Sequence, residues 1–339
     1  MIAPPSRAAE QAARTRLAAL AKPLGALGRV EDLAAWLAGC QDSCPPRPPE
    51  RVRLTVLAGD HGIAAKGVSA YPPQVTAAMV HAFASGTAAA GVLARQHGVA
   101  LRVLDIAVDA DLDTPAGVGA HKIRRSSGSI DVEDALTAAE LDAALLAGRA
   151  IAREEIEAGA DLLILGDMGI GNTTPEAALI AATFGLTADE VVGRGTGVDD
   201  AGLARKTAAV AAALARAGDR ASDPRARLQA LGSADLAAGV GFLIAAATAG
   251  VPVLLDGLAT LAELSVADEL APGTAAWCAA GHRSTEPAQR LALEKLGLLP
   301  VLDLDLRLGE GSGALLALPV LRSAALLAGE MALLSDLAG

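Results

Sequence analysis

The feature that most constrains this chain is a unit repeated along its body: a short aliphatic run, a glycine-bearing turn, then a helical stretch. The runs fall at residues 53–57, 101–108, 162–165, 253–255, 275–279 and 301–306. A continuous apolar run has no polar face to offer water, so strands built this way are covered on both sides. The intervening helical stretches supply the crossovers that parallel strands need. The expected fold class is α/β, with a doubly wound, mainly parallel sheet.

In such a Rossmann-like sheet the carboxyl ends of the strands share one edge, and ligands bind there. The turns after the runs are AGDHG (58–62), LGDMGIGNTT (165–174), LDG (255–257), AGHRS (280–284) and RLGEGSG (307–313). Each alone is a weak signal. Together they locate one crevice.

The two ends of the chain frame this body. Residues 7–39 read as helical, with Leu17, Leu20, Leu24, Leu27, Leu33, Trp36 and Leu37 as the apolar positions. A proline-rich linker follows at 41–50, and residues 319–339 read as an apolar helix interrupted by Arg322 and Glu330. The expectation is a small helical domain from residues 1–48 and 318–339, and a large α/β catalytic domain from 51–317.

Composition narrows the function. The formal net charge is −11 and aromatics are 2% of 339 residues, so no basic surplus or stacking platform exists for nucleic acid. Cys40, Cys44 and Cys278 are too few for a disulfide framework and fit a reducing cytoplasm. No zinc, EF-hand or iron–sulfur spacing is present, and the expected metal is none. The uncharged run at 236–255 reaches membrane length, yet Gly250 and Pro252 break it; it reads as a buried helix, a tight turn and a buried strand, not a span. The amino terminus lacks the apolar core of a signal peptide.

An acidic chain that binds phosphate must do so locally. In LGDMGIGNTTPEAA, Gly166, Gly169 and Gly171 let backbone approach a ligand, and Thr173 or Thr174 caps a helix starting at Pro175. The pattern matches neither the P-loop nor the dinucleotide fingerprint. A second glycine loop at 193–206 leads into a helix with Asp199 as its N-cap. Lys206 there either reaches an anion or lies solvated on the helix. His61 is either a base or a turn-holding hydrogen-bonding group. Tyr71, the only tyrosine, sits in a rigid loop suited to closing over a flat ligand. Glu310 stands between two glycines at the exit of the last strand, where absent side chains leave room for substrate; it reads as a general base.

These motifs, in this order and together with KPLGALGRVEDLA (22–34), resemble the nicotinate-nucleotide:dimethylbenzimidazole phosphoribosyltransferase family over nearly the whole chain. The resemblance implies transfer of the phosphoribosyl group of nicotinate mononucleotide to 5,6-dimethylbenzimidazole, in cobalamin nucleotide-loop assembly. It implies catalytic roles for Glu310, Lys206 and Asp167. It implies nucleotide and phosphate binding by Gly169, Ile170, Gly171, Asn172, Thr173, Thr174, Gly195 and Ser284, and a benzimidazole pocket at Ser69, Tyr71 and Leu308. It implies no cofactor, a cytoplasmic homodimer, and only small-molecule substrates. Asp167 stands where the family commonly has glutamate, one methylene longer. A nucleotide hydrolase, or a non-catalytic nucleotide-binding protein using the same crevice, are the other classes compatible with these residues.

Overall fold

The computed structural model describes residues 1–337. Its centre is a five-stranded, all-parallel sheet of β1 (Val52–Gly59), β2 (Ala100–Ala107), β3 (Leu162–Met168), β4 (Val253–Leu255) and β5 (Cys278–Ala280), in the order β2-β1-β3-β4-β5. Two further short strands, β6 (His282–Ser284) and β7 (Leu302–Leu306), form a separate parallel pair.

Side-chain alternation along the strands divides the interior into two cores. Leu57, Leu104, Leu163, Leu165 and Leu255 face one side, against the helices Ala138–Glu157, Thr173–Phe184, Ala234–Thr248 and Leu258–Leu270. Their immediate neighbours Leu54, Val56, Val103, Leu162, Ile164 and Leu254 face the other, against the helices Val75–Ala84, Ala89–His97 and Ser312–Glu330. Both faces are apolar because both are covered. Helices on both faces is what the aliphatic runs predicted.

Close helix packing depends on missing side chains. A Cβ at Gly148 would stand 1.8 Å from the Ala238 carbonyl oxygen, and one at Gly241 2.2 Å from that of Leu145. The helices Ala138–Glu157 and Ala234–Thr248 thus meet nearly backbone to backbone. This explains the abundance of small residues and the near-complete burial of the second helix.

The run 236–255 is resolved as expected: a buried helix, a turn at Gly250 with φ of 72°, and β4. Two other helical stretches are long and apolar enough to cross a membrane, Val75–His97 and Ser312–Glu330. The first breaks into two helices at residues 85–88, and both stretches feed the second core through Val80, Phe83, Ala90, Leu315, Leu318 and Leu321. They are core helices.

Four boundary expectations need correction. Residues 275–277 form a 3-10 turn, so the fifth strand begins only at Cys278. The run 301–306 is not a sixth strand of the main sheet; Asp303 and Asp305 alternate with its leucines, and the strand is largely exposed beside β6. The expected helix over 7–39 is two helices, Arg7–Ala19 and Arg29–Gln41, separated by a segment holding Pro23, Gly25 and Gly28. The final helix starts at Ser312 and ends at Glu330; the expectation for 338 and 339 lies outside the described residues.

The terminal helices meet at Leu17, Leu20, Ala34, Ala324 and Ala328, a cluster separate from the two sheet cores. Arg16 ties this junction by donating to the carbonyls of Ala328, at 2.6 Å, and Gly329, at 3.0 Å.

Candidate active site

The strand ends converge as the turns implied. A cavity of about 500 Å³ opens at the carboxyl edge and is walled by residues following β3, β4, β6 and β7. Of the residues singled out in the sequence, Asp167, Gly169, Ile170, Asn172, Thr173, Gly195, Ser284, Tyr71, Leu308 and Glu310 line it. Gly171, Thr174, Lys206 and Ser69 stand one layer back.

Glu310 occupies an unusual backbone. Gly309, Glu310 and Gly311 are all left-handed, with φ of 82°, 65° and 83°. For a side chain larger than glycine that conformation costs about 1–2 kcal/mol. The turn is held from three sides. Gly166 lies so close beneath it that a Cβ there would come within 2.6 Å of the Glu310 carbonyl carbon. A Cβ at Gly311 would meet Leu54 at 2.5 Å. On the third side the buried Asp256 carboxylate accepts the backbone N–H groups of Gly311, Gly313 and Ala314 at 2.9, 2.8 and 3.0 Å.

Glu310 is only 4% exposed, and its carboxyl Oε2 has no partner. Burial pushes it up to about 7, the charge of Asp256 adds to the rise, and a hydrogen bond from the Ala90 N–H opposes it. Its proton exchange is thus poised near neutrality.

Asp167 ends β3 on the same wall. The Asn172 side-chain amide donates to Asp167 Oδ1 at 2.7 Å, whereas Oδ2 has no partner. Burial holds this carboxyl well above the usual carboxylate range, and the charges of Asp235, Glu176 and Glu263 add to the effect. The shift favours the protonated form of Asp167, more so than for an ordinary aspartate.

The glycine loop after β3 is shaped by packing as well as by access. A Cβ at Gly169 would fall 2.1 Å from the Gly59 carbonyl oxygen and 2.6 Å from His61 Nε2. Gly171 is left-handed, with φ of 92°. The following helix starts at Thr173, two residues before the expected Pro175, because Asn172 already has helical backbone angles and makes no side-chain cap. Asn172, Thr173 and Glu176 of this helix start line the cavity, and the positive end of the helix dipole there favours an anion.

A cationic corner stands beside that terminus. Lys206 is fully buried, which overturns the solvated reading; its Nζ donates to Thr173 Oγ1 at 2.7 Å and to the Gly193 carbonyl at 3.1 Å, with Glu286 at 4.0 Å. Burial lowers its pKa, and Glu286 and Glu176 pull the other way. Glu286 accepts the Gly195 N–H at 2.8 Å, and Arg307 donates to the Gly195 carbonyl at 2.9 Å. Gly195 is thus the point about which Lys206, Arg307 and Glu286 gather. Asp199 caps the helix carrying Lys206, as expected, by accepting from Gly202 at 2.7 Å.

The mouth is closed by two linked loops. Thr196 Oγ1 lies 3.1 Å from Ser69 Oγ and accepts the Ala70 N–H at 2.9 Å. Ser69 therefore braces the loop while Tyr71, half exposed, faces the cavity with Leu308. Ser284 Oγ, buried, accepts the Glu286 N–H at 3.3 Å. His61 takes the structural role: it lies behind the cavity wall with Nε2 3.4 Å from Asp235 Oδ2.

Glu176, Asp256, His282, Glu286 and Arg307 line the cavity without having been singled out. Arg307 and Asp256 were within quoted motifs, next to Leu308 and in the LDG turn.

Relatives with this sequence are found across nearly the full length. The chain is 56% identical over 331 residues, covering 98% of it and 95% of the relative, to a nicotinate-nucleotide–dimethylbenzimidazole phosphoribosyltransferase of Mycolicibacterium paratuberculosis. It is 55% identical over 335 residues, 99% of the chain and 92% of the relative, to the protein of the same name from Mycobacterium tuberculosis. A family model described as phosphoribosyltransferase matches residues 2–337. The chain belongs to the nicotinate-nucleotide–dimethylbenzimidazole phosphoribosyltransferase family.

Solved structures of the family share the fold. CobT from Thermus thermophilus is similar at a TM-score of 0.93 and 44% identity over 98% of each chain. A second structure from that organism, described as a nicotinate-nucleotide-dimethylbenzimidazole phosphoribosyltransferase, gives 0.92 and 42% with the same coverage.

Proposed function

We propose that this enzyme transfers the phosphoribosyl group of nicotinate mononucleotide to 5,6-dimethylbenzimidazole, yielding α-ribazole 5′-phosphate and nicotinate for the nucleotide loop of cobalamin. One azole nitrogen bonds to C1′ as the bond from C1′ to the pyridinium nitrogen breaks. That electron pair stays with nicotinate, and the configuration inverts from β to α. The proton on the other azole nitrogen passes to Glu310. A pyridinium leaves as a neutral ring, so no acid is needed on that side.

The observation that carries this reading is the unpartnered Glu310 Oε2, buried at the cavity wall and poised near neutrality. The phosphate is assigned to the start of the helix Thr173–Phe184, with Lys206 fixing Thr173 and Arg307 fixing Gly195. Asp167 donates to a substrate oxygen. Tyr71, Met168 and Leu308 give the base its apolar bed, a poor setting for the activated water that a hydrolase would need. Correct placement of the two substrates supplies most of the rate.

The wider expectations belong to the same proposal. The doubly wound sheet rests on the aliphatic runs, the cytoplasmic setting on the sparse cysteines, and the homodimer on the family resemblance. The division into 1–48 with 318–339 and 51–317 is supported by the separate terminal cluster, although Ser312–Glu330 runs unbroken through both parts.

The test is incubation of the protein with nicotinate mononucleotide and a panel of bases, with products identified by mass. An α-riboside phosphate of the base is expected, and Glu310→Ala should abolish it while keeping most nucleotide affinity. Ribose phosphate released without incorporation of the base would point to hydrolysis instead.

A further inference from the structure

Asp256 follows β4 and is 2% exposed. Its two oxygens divide the work at the start of the helix Ser312–Glu330: Oδ2 takes the Gly311 N–H, and Oδ1 takes those of Gly313 and Ala314. Bonds from N–H to a charged oxygen are about twice as strong as neutral ones, and a negative charge at a helix start also meets the positive end of its dipole. Behind Asp256, His282 Nε2 lies 3.5 Å from Oδ1. The His282 ring fills the space a Gly313 side chain would need, since a Cβ there would fall 2.0 Å from it. The turn carrying Glu310 is therefore fastened immediately after the glutamate, by one carboxylate, over three of the next four residues.

We infer that Asp256 is the positioning residue of Glu310, fixing the left-handed turn that aims the base into the cavity and holding a negative charge beside it. This rests on the reading of Glu310 as the base. Other brakes on the turn are weaker: Ser312 reaches back only to the Gly309 carbonyl, through its N–H at 2.9 Å and its Oγ at 2.7 Å.

The charge has its own consequence. The titratable or charged groups sharing the cavity with Glu310 are Tyr71, Asp167, Glu176, Asp256, His282, Glu286 and Arg307. The Ala90 N–H touches Glu310 from the opposite helix. Among them Asp256 is the anion whose charge raises the Glu310 carboxyl. Asp256→Asn keeps the size of the side chain, removes the charge and turns one acceptor into a donor facing Gly311 N–H.

The experiment compares wild type, D256N, E310Q and the double variant in kcat, the KM for nicotinate mononucleotide, and the pH profile. In D256N, kcat should fall about 10- to 100-fold, the loss expected of a misplaced catalytic group, with KM changed less than about threefold. The acid limb of its profile should move to lower pH. D256N/E310Q should be no slower than E310Q, because a residue acting through Glu310 has nothing left to position. An unmoved acid limb, or losses that multiply in the double variant, overturns the inference. If D256N does not fold, D256S gives the same readings, since serine retains an acceptor for the helix start without a charge. An E310Q enzyme with full activity would instead defeat the assignment of the base, a separate failure.

Discussion

Asn172 donates its side-chain amide to one oxygen of Asp167 and leaves the other, buried oxygen unpartnered. Burial and the neighbouring anions favour the protonated form of this carboxyl, and the proposed role is donation from the unpartnered oxygen to substrate. Asp167→Asn should then retain kcat within about threefold, because an amide also offers an N–H donor at that place. Asp167→Ala should lose about 10-fold or more, the usual penalty for leaving a substrate group unpaired. Equal damage in both variants, measured by steady-state kinetics, would mean that Asp167 works as an anion.

In the proposed reading, Lys206 supports the phosphate corner from behind. Removing it strands Thr173 and the Glu286 carboxylate, so Lys206→Ala should raise the KM for nicotinate mononucleotide at least about tenfold. Breaking a buried charged contact also costs stability, about 3 kcal/mol. The melting temperature should fall with the affinity, which calorimetry and titration can follow in parallel. Unchanged melting and unchanged affinity would contradict the buried geometry.

The pH dependence of kcat/KM should show an acid limb near pH 7, where the Glu310 carboxyl titrates. The sign is fixed by the role: a base acts when ionised, so the rate rises with pH through this range. Glu310→Gln should remove the limb along with most of the activity. A limb at the ordinary glutamate value would show that burial of Glu310 is lost in solution.

Stability should run the other way. Glu176 and Glu263 are buried and, like Glu310, held above the usual glutamate value of 4.5 by desolvation. The folded chain therefore keeps protons that the unfolded chain releases, and stability falls as pH rises from about 4.5 to beyond 7. Carboxyls lowered by arginine or capping contacts, such as Asp134 and Glu140, titrate below this window and do not offset it. Scanning calorimetry of the substrate-free enzyme should give a lower melting temperature at pH 8.5 than at pH 5.5. A rise over that interval would contradict the buried carboxyls.

The sheet and the position of Glu310 were legible because aliphatic runs and glycine pairs are local signals. The run 253–255 became β4 with the same ends, and the turn after it delivers Asp256 to the site. β7 was misjudged because its leucines were counted and its alternating aspartates were not. Lys206 could not be resolved in advance. A lysine on a solvated helix face and one buried beside Thr173 look identical in sequence, since burial depends on which helix crosses it. The same holds for Asp256: nothing local links it to amides 55 to 58 residues later.

The left-handed backbone at Glu310 sets catalysis and durability against each other. Glycine adopts φ of 65° freely, and it would also leave no carboxyl to desolvate. Glu310→Gly should therefore produce a protein about 1 kcal/mol or more harder to unfold and without turnover, read as a higher denaturant midpoint. Selection for robustness alone would drift this position toward glycine and join Gly309 to Gly311 in an unbroken glycine run. On the proposed reading, a glutamate there marks a fold kept slightly uncomfortable by the demand for a base.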